Sequence, residues 1–99
     1  MTRRIRWGER AAQDYYEQLE FIANDSPANA ELVDGRITSA VEQLAKRPIG
    51  RAGRVAGTYE KSITGTSLIV SYMLEDETLH IVRIIHMKRQ WPKGEWPEE

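Results

Sequence analysis

The sequence predicts an α+β fold in which an N-terminal strand and an antiparallel helical hairpin pack on one face of a mainly antiparallel, twisted sheet. Three observations carry this. Residues 9–23 and 27–46 repeat apolar side chains at helical spacing, with a polar break between them. Residues 67–74 (SLIVSYML) and 78–86 (TLHIVRIIH) are runs of β-branched and aliphatic residues separated by Glu75, Asp76 and Glu77. Residues 2–7 alternate, with Ile5 and Trp7 on one side and Arg4 and Arg6 on the other, as a half-buried strand does.

In the first helix Ala12, Tyr15, Tyr16, Leu19 and Ile22 form one stripe, and Asp14, Glu17 and Glu20 are expected to point away from it. The two tyrosines read as core aromatics with their hydroxyls at the edge. Ser26 followed by Pro27 starts the second helix, because the serine hydroxyl caps free amides and proline presets φ at the first helical position. Ala30, Val33, Ile37, Val41 and Leu44 share its inner face, and Glu42 stands four residues before Lys46 for an ion pair. Gly35 costs roughly 1 kcal/mol relative to alanine and is expected to allow close approach of the first helix. Pro48 ends the element.

Residues 49–53 read as a loop rich in glycine and arginine. Residues 58–64 form a strand, Gly65 and Thr66 a tight turn, and 78–86, apolar on both faces, an interior strand. On strict alternation Arg83 shares a face with Leu79, Ile81 and Ile85, while His86 shares the other with His80, Val82 and Ile84. Arg83 is therefore expected either to pair, Glu60 being the nearest choice, or to face a partner. At ~3.3 Å per residue His80 and His86 stand roughly 20 Å apart, too far to share a metal. The tail from Met87 mixes Trp91, Pro92, Trp96 and Pro97 with charges, and 93–99 is expected to fray.

The 99 residues are expected to form one domain, and an apolar fraction of 40% with 29% charged residues is that of a globular protein. Zero cysteines remove disulfides, thiolate metal sites and thiol nucleophiles. No apolar run approaches the ~20 residues of a membrane span and the first residues lack a secretory core, so a cytoplasmic location is expected. Net charge is −1, without the basic excess of a non-specific nucleic-acid binder. The charges are nonetheless sorted. Residues 9–45 hold eight acidic side chains against two basic, 46–61 five basic against one acidic, and 78–94 four basic against none. Such polarity can steer an acidic partner or a phosphate backbone to one side; scattered solvated charge is the plain alternative.

The elements with the most individual sequence are GRVAGTYE (53–60) and HIVRIIHMKRQWP (80–92). Together with the initial strand, the acidic hairpin and LIVSYML, they resemble the RelE/ParE superfamily of toxins from bacterial type II toxin-antitoxin modules, and ParE-like members most. Gly53 and Arg54, Gly57 to Glu60, Ile69 to Tyr72, and Arg83 to His86 match that pattern. The resemblance implies the α+β fold above, an antitoxin partner, and one of two activities. ParE-like members poison DNA gyrase by binding; RelE-like members cut mRNA on the ribosome. In YoeB-like members of the second kind a glutamate follows the loop after the second helix and an arginine begins the penultimate strand. Here the loop reads Pro48, Ile49, Gly50, Arg51, and 67–74 holds no arginine. Lacking a base and a transition-state cation would each cost ~10²-fold or more, which favours binding over catalysis.

The candidate contact residues for gyrase or antitoxin are Arg51, Arg54, Tyr59, Glu60, Arg83, His86, Arg89 and Trp91. An endonuclease would draw on His86, Arg83, Arg54 and Arg89. His86 is the candidate acid or base because imidazole as a group titrates near neutral pH, but it reads more readily as a strand-end histidine satisfied by backbone or by a carboxylate. Arg89 with Trp91 suits stacking or phosphate contact, or closes the core edge. Neither cofactor nor metal is called for, and no membrane partner.

Overall fold

The computed structural model describes residues 2–87. In chain order it has β1 (Arg4–Trp7), α1 (Glu9–Asp25), α2 (Pro27–Lys46), β2 (Arg51–Ala52), β3 (Tyr59–Ser62), β4 (Leu68–Glu75) and β5 (Thr78–His86). The five strands form one sheet in the order β1-β5-β4-β3-β2. β1 runs parallel to β5 and every other pairing is antiparallel. The predicted α+β architecture is the one observed, with β5 interior. The two-residue strand β2 lies within what reads in sequence as loop.

A single residue, Ser26, joins the helices. Its backbone is extended, its amide closes α1 on the Ile22 carbonyl at 2.8 Å, and its hydroxyl accepts from the Asn29 amide at 3.2 Å to open α2. Helix α1 therefore runs two residues past the expected Ala23. Helix α2 starts with Pro27 as expected, where a missing amide hydrogen costs nothing.

The core lies between the hairpin and one face of the sheet. Ala11, Ile37, Val41 and Leu44 from the helices meet Leu68, Val70, Tyr72, Leu79, Ile81 and Ile84. The stripe of α1 is rotated from its sequence prediction. Ala11 is its fully buried member, Tyr16 is 68% exposed, and Asp14 turns inward. Two polar contacts set this rotation: the Gly8 amide docks the helix start on the Ile81 carbonyl at 2.9 Å, and Asp14 pairs with Arg83. Hydropathy spacing does not register a buried carboxylate.

Gly35 does not mediate helix contact. It is exposed, and a Cβ added there would meet nothing within 4 Å. Gly35→Ala should therefore raise the unfolding free energy by about 0.5–1 kcal/mol, read as a higher urea midpoint at unchanged slope. The expected Glu42–Lys46 pair is also absent among the described residues. The two side chains line grooves on opposite sides of α2.

Candidate functional site

The GRVAGTYE segment folds into the hairpin loop between β2 and β3. The Gly53 amide donates to the Thr58 carbonyl at 2.8 Å, and the Thr58 amide and hydroxyl both reach the Val55 carbonyl, at 3.1 and 2.7 Å. Gly57 sits at φ 85°, a left-handed conformation that side chains other than glycine's resist. Glu60 holds this loop from beneath. It is 4% exposed, accepts from the Arg54 amide at 2.9 Å, and lies 3.9 Å from the Arg51 guanidinium. Buried carboxylates persist where they are paired and hydrogen-bonded, and this one is both. Glu60 is thus a support, while the Arg51 side chain, 69% exposed, and Arg54 are presented outward.

Tyr59 is 40% exposed and stacks on Tyr72, its register partner, at 5.6 Å between ring centroids. Tyr72 is fully buried and its hydroxyl has no hydrogen-bond partner among the described residues. Burial, and secondarily Tyr59, push its phenol above the ordinary range.

The face assignments within β5 differ from strict alternation because the pairing slips by one residue beside Ser71 and Tyr72. Tyr72 pairs with Ile81 but Ser71 with Arg83, so Val82 is the extra residue of a bulge. Beyond the bulge the faces exchange. His86, opposite Leu68, joins the helix-facing set with Ile84, whereas Arg83 and Ile85 face the other way. Register then places Arg51, Glu60, Ser71 and Arg83 in one row across β2, β3, β4 and β5. His80 lies 4.0 Å from the Glu75 carboxylate, at the other end of β5 from His86.

Arg83 finds its carboxylate in Asp14, not Glu60. Its Nε and Nη2 donate to the two Asp14 oxygens at 2.7 and 3.1 Å, and the Ile84 amide adds a third bond at 3.1 Å. Both side chains are nearly buried, at 11% and 12% exposure. The location explains the choice: β1 pairs with β5 only through Ile81, and Asp14 takes over the strand edge that β1 leaves. A contact between the two helices has the same polar character. The Tyr15 hydroxyl donates to Asp34, and burial, then that bond, push the phenol up to about 12. The folded state holds this proton more tightly than the unfolded chain does, so its stabilisation is complete below pH ~10 and is lost as pH rises toward 12. The urea midpoint should fall more between pH 9 and 11 in the native protein than in Tyr15→Phe, by an amount worth at most about 1 kcal/mol once solvent screening of the partly exposed phenol is allowed for.

Sequence reasoning missed a groove of about 840 Å³ between α2 and the β3 edge. Leu32, Ala40, Leu44 and Ile49 give it an apolar floor, and Arg36, Lys46, Arg47 and Lys61 a basic rim facing one acid, Glu31. Leu32 and Ile49 are 51% and 59% exposed, and their position off the α2 stripe was the available signal. Arg89 and Trp91, with Lys88, lie outside the described residues. No group of three or more metal-ligating side chains occurs among the described residues, and no helix there is long and apolar enough to cross a membrane.

The family model for the ParE toxin of type II toxin-antitoxin systems matches residues 5–91. The chain belongs to this family. Among relatives of the toxin, the Sinorhizobium fredii protein Y4kP is 35% identical over 92 residues, covering 92% of this chain and 95% of its own. Toxin RelE2 of Caulobacter vibrioides is 31% identical over 84 residues, covering 84% and 93%. A chain of the chromosomal ParDE system from P. aeruginosa shares the fold, with a TM-score of 0.79 over 88% of this chain and 98% of that one at 18% identity. The toxin is thus a RelE/ParE superfamily member in sequence and in architecture.

Proposed function

We propose that this ParE-family toxin acts in the cytoplasm by binding DNA gyrase, not by cleaving RNA, and that a cognate antitoxin neutralises it. The observation that carries the reading is the Arg83–Asp14 pair. Arg83, one of the arginines an endonuclease would draw on, has its Nε and one Nη engaged with a carboxylate at hydrogen-bond distance. Phosphoryl chemistry needs such a cation aimed at developing charge, and an internal carboxylate offsets that charge before any substrate arrives. With Glu60 occupied under the loop, the exposed groups left on this side, Arg51, Arg54 and Tyr59, suit contact better than proton transfer.

Purified toxin at micromolar concentration should inhibit or trap gyrase in a supercoiling assay. Absence of any effect, together with cleavage of ribosome-bound message that Arg83→Ala with His86→Ala abolishes, would replace the proposal with the RelE-type activity. No growth arrest on induction without antitoxin would mark an inactive relative. For the antitoxin, the groove beside α2 fits an acidic amphipathic segment: apolar side chains on its floor, carboxylates on its rim. The same charge sense holds at Arg51, Arg54 and Arg89. Reversing Arg51 and Arg54 to glutamate should weaken the complex and flatten its salt dependence.

A further inference from the structure

A second pocket, of about 420 Å³, opens at the β1 edge of the sheet, between that strand and both helices. Trp7, Tyr15 and Tyr16 line it with Glu42, alongside Ile5 and Thr38. The rings form a connected wall: Trp7 and Tyr15 are 5.3 Å apart and tilted, and Tyr15 and Tyr16 are 5.3 Å apart, edge to face. Two departures from the sequence expectation meet here. Tyr16, read as a core aromatic, is 68% exposed, and Glu42, read as the partner of Lys46, makes no ion pair among the described residues. Among the described residues no cationic side chain lines the pocket.

We infer that this pocket receives the cationic side chain of a protein partner, an arginine before a lysine. Ring faces attract a cation through their quadrupole, and guanidinium both stacks on aromatic rings and matches a carboxylate in a fixed fork. The occupant's sign follows from Glu42, which among the described residues is the one charged side chain lining the pocket. The site lies across α2 from the basic-rimmed groove, so one partner segment can meet the first with acidic residues and another the second with a basic one. This assignment stands on the pocket's own chemistry and holds whichever toxin target is correct.

The test titrates the 15N-labelled full chain with N-acetyl-arginine amide and with its neutral isostere, N-acetyl-citrulline amide, following the Trp7 indole resonance by NMR. The arginine compound should shift Trp7 saturably, and the citrulline compound should not. Glu42→Gln and Tyr16→Ala, both at exposed positions that leave the core intact, should each weaken the arginine response roughly three- to tenfold. Glu31→Gln, on the opposite groove, should leave it unchanged. Equal responses to the two compounds, an arginine response indifferent to both substitutions, or no saturable shift by ~0.1 M would overturn the inference. Shifts of the same resonances with protein concentration alone would assign the pocket to a second copy of the chain, and overturn the partner reading.

Discussion

Asp14→Ala should lower the unfolding free energy by about 3 kcal/mol or more, because it leaves a nearly buried guanidinium without its carboxylate and the Ile84 amide without its acceptor. The loss appears as a lower urea midpoint in equilibrium unfolding. Removing both charges with similar volume, as Asp14→Leu with Arg83→Met, should recover much of it, since buried ion pairs are often matched by apolar packing of the same size. An unchanged midpoint in Asp14→Ala would mean that the pair adds nothing to the fold. The pair also bears on how function is tested. Arg83→Ala leaves the nearly buried Asp14 carboxyl without its guanidinium, so loss of toxicity in that variant has to be read beside its stability. The charge-free double variant separates the two. If it folds and still inhibits gyrase, Arg83 serves the scaffold and not the target.

Gly50→Ala is the second large effect. A Cβ there would fall 2.3 Å from the Tyr72 hydroxyl and 2.9 Å from the Glu60 carbonyl oxygen, so the loop or a fully buried tyrosine has to move. Overpacking of this kind costs about 1–3 kcal/mol. Tyr72→Phe removes a hydroxyl that is buried without a partner and should be neutral or stabilising by up to ~1 kcal/mol. Combined, the substitutions should cost less than the sum of their separate effects, because the closest contact goes with the hydroxyl and the nearest ring atom lies at 3.1 Å. A strictly additive cycle in thermal or urea unfolding would show that the backbone at Glu60, not the hydroxyl, is what the new methyl meets.

Element types and order were legible in the sequence because periodicity reports burial, and burial dominates here. Ser26 and Pro27 marked the helix junction, and the 78–86 strand has the limits the sequence suggests. The rotation of α1 comes from a polar contact between residues distant in sequence. Asp14 and Arg83, 69 positions apart, rotate α1 and set Tyr16 outside. The bulge opposite Ser71 and Tyr72 inverts the face of His86, and a one-residue slip leaves no mark in a run of Val and Ile that is apolar on both sides. In the candidate site, Arg51 and Arg54 were readable as exposed loop cations, and Glu60 as part of a motif and as a candidate partner of Arg83. Its burial became visible once β2 was seen to pair with β3. The grooves beside α2 were not readable, since each is assembled from an edge of the sheet and one flank of the hairpin.

The parallel pairing of β1 with β5 also dictates when this toxin can come into being. β1 precedes both helices in the chain, yet its sheet partners are Thr78 to Ile81. The hairpin can dock locally while the chain is still being made, but β1 has no ladder to join until those residues emerge. Arrested nascent chains ending before residue 78 should accordingly show helical protection without protected β1 amides in hydrogen exchange. Synthesis thus carries a built-in delay: β1, made before both helices, finds its strand partner only once β5 has been made.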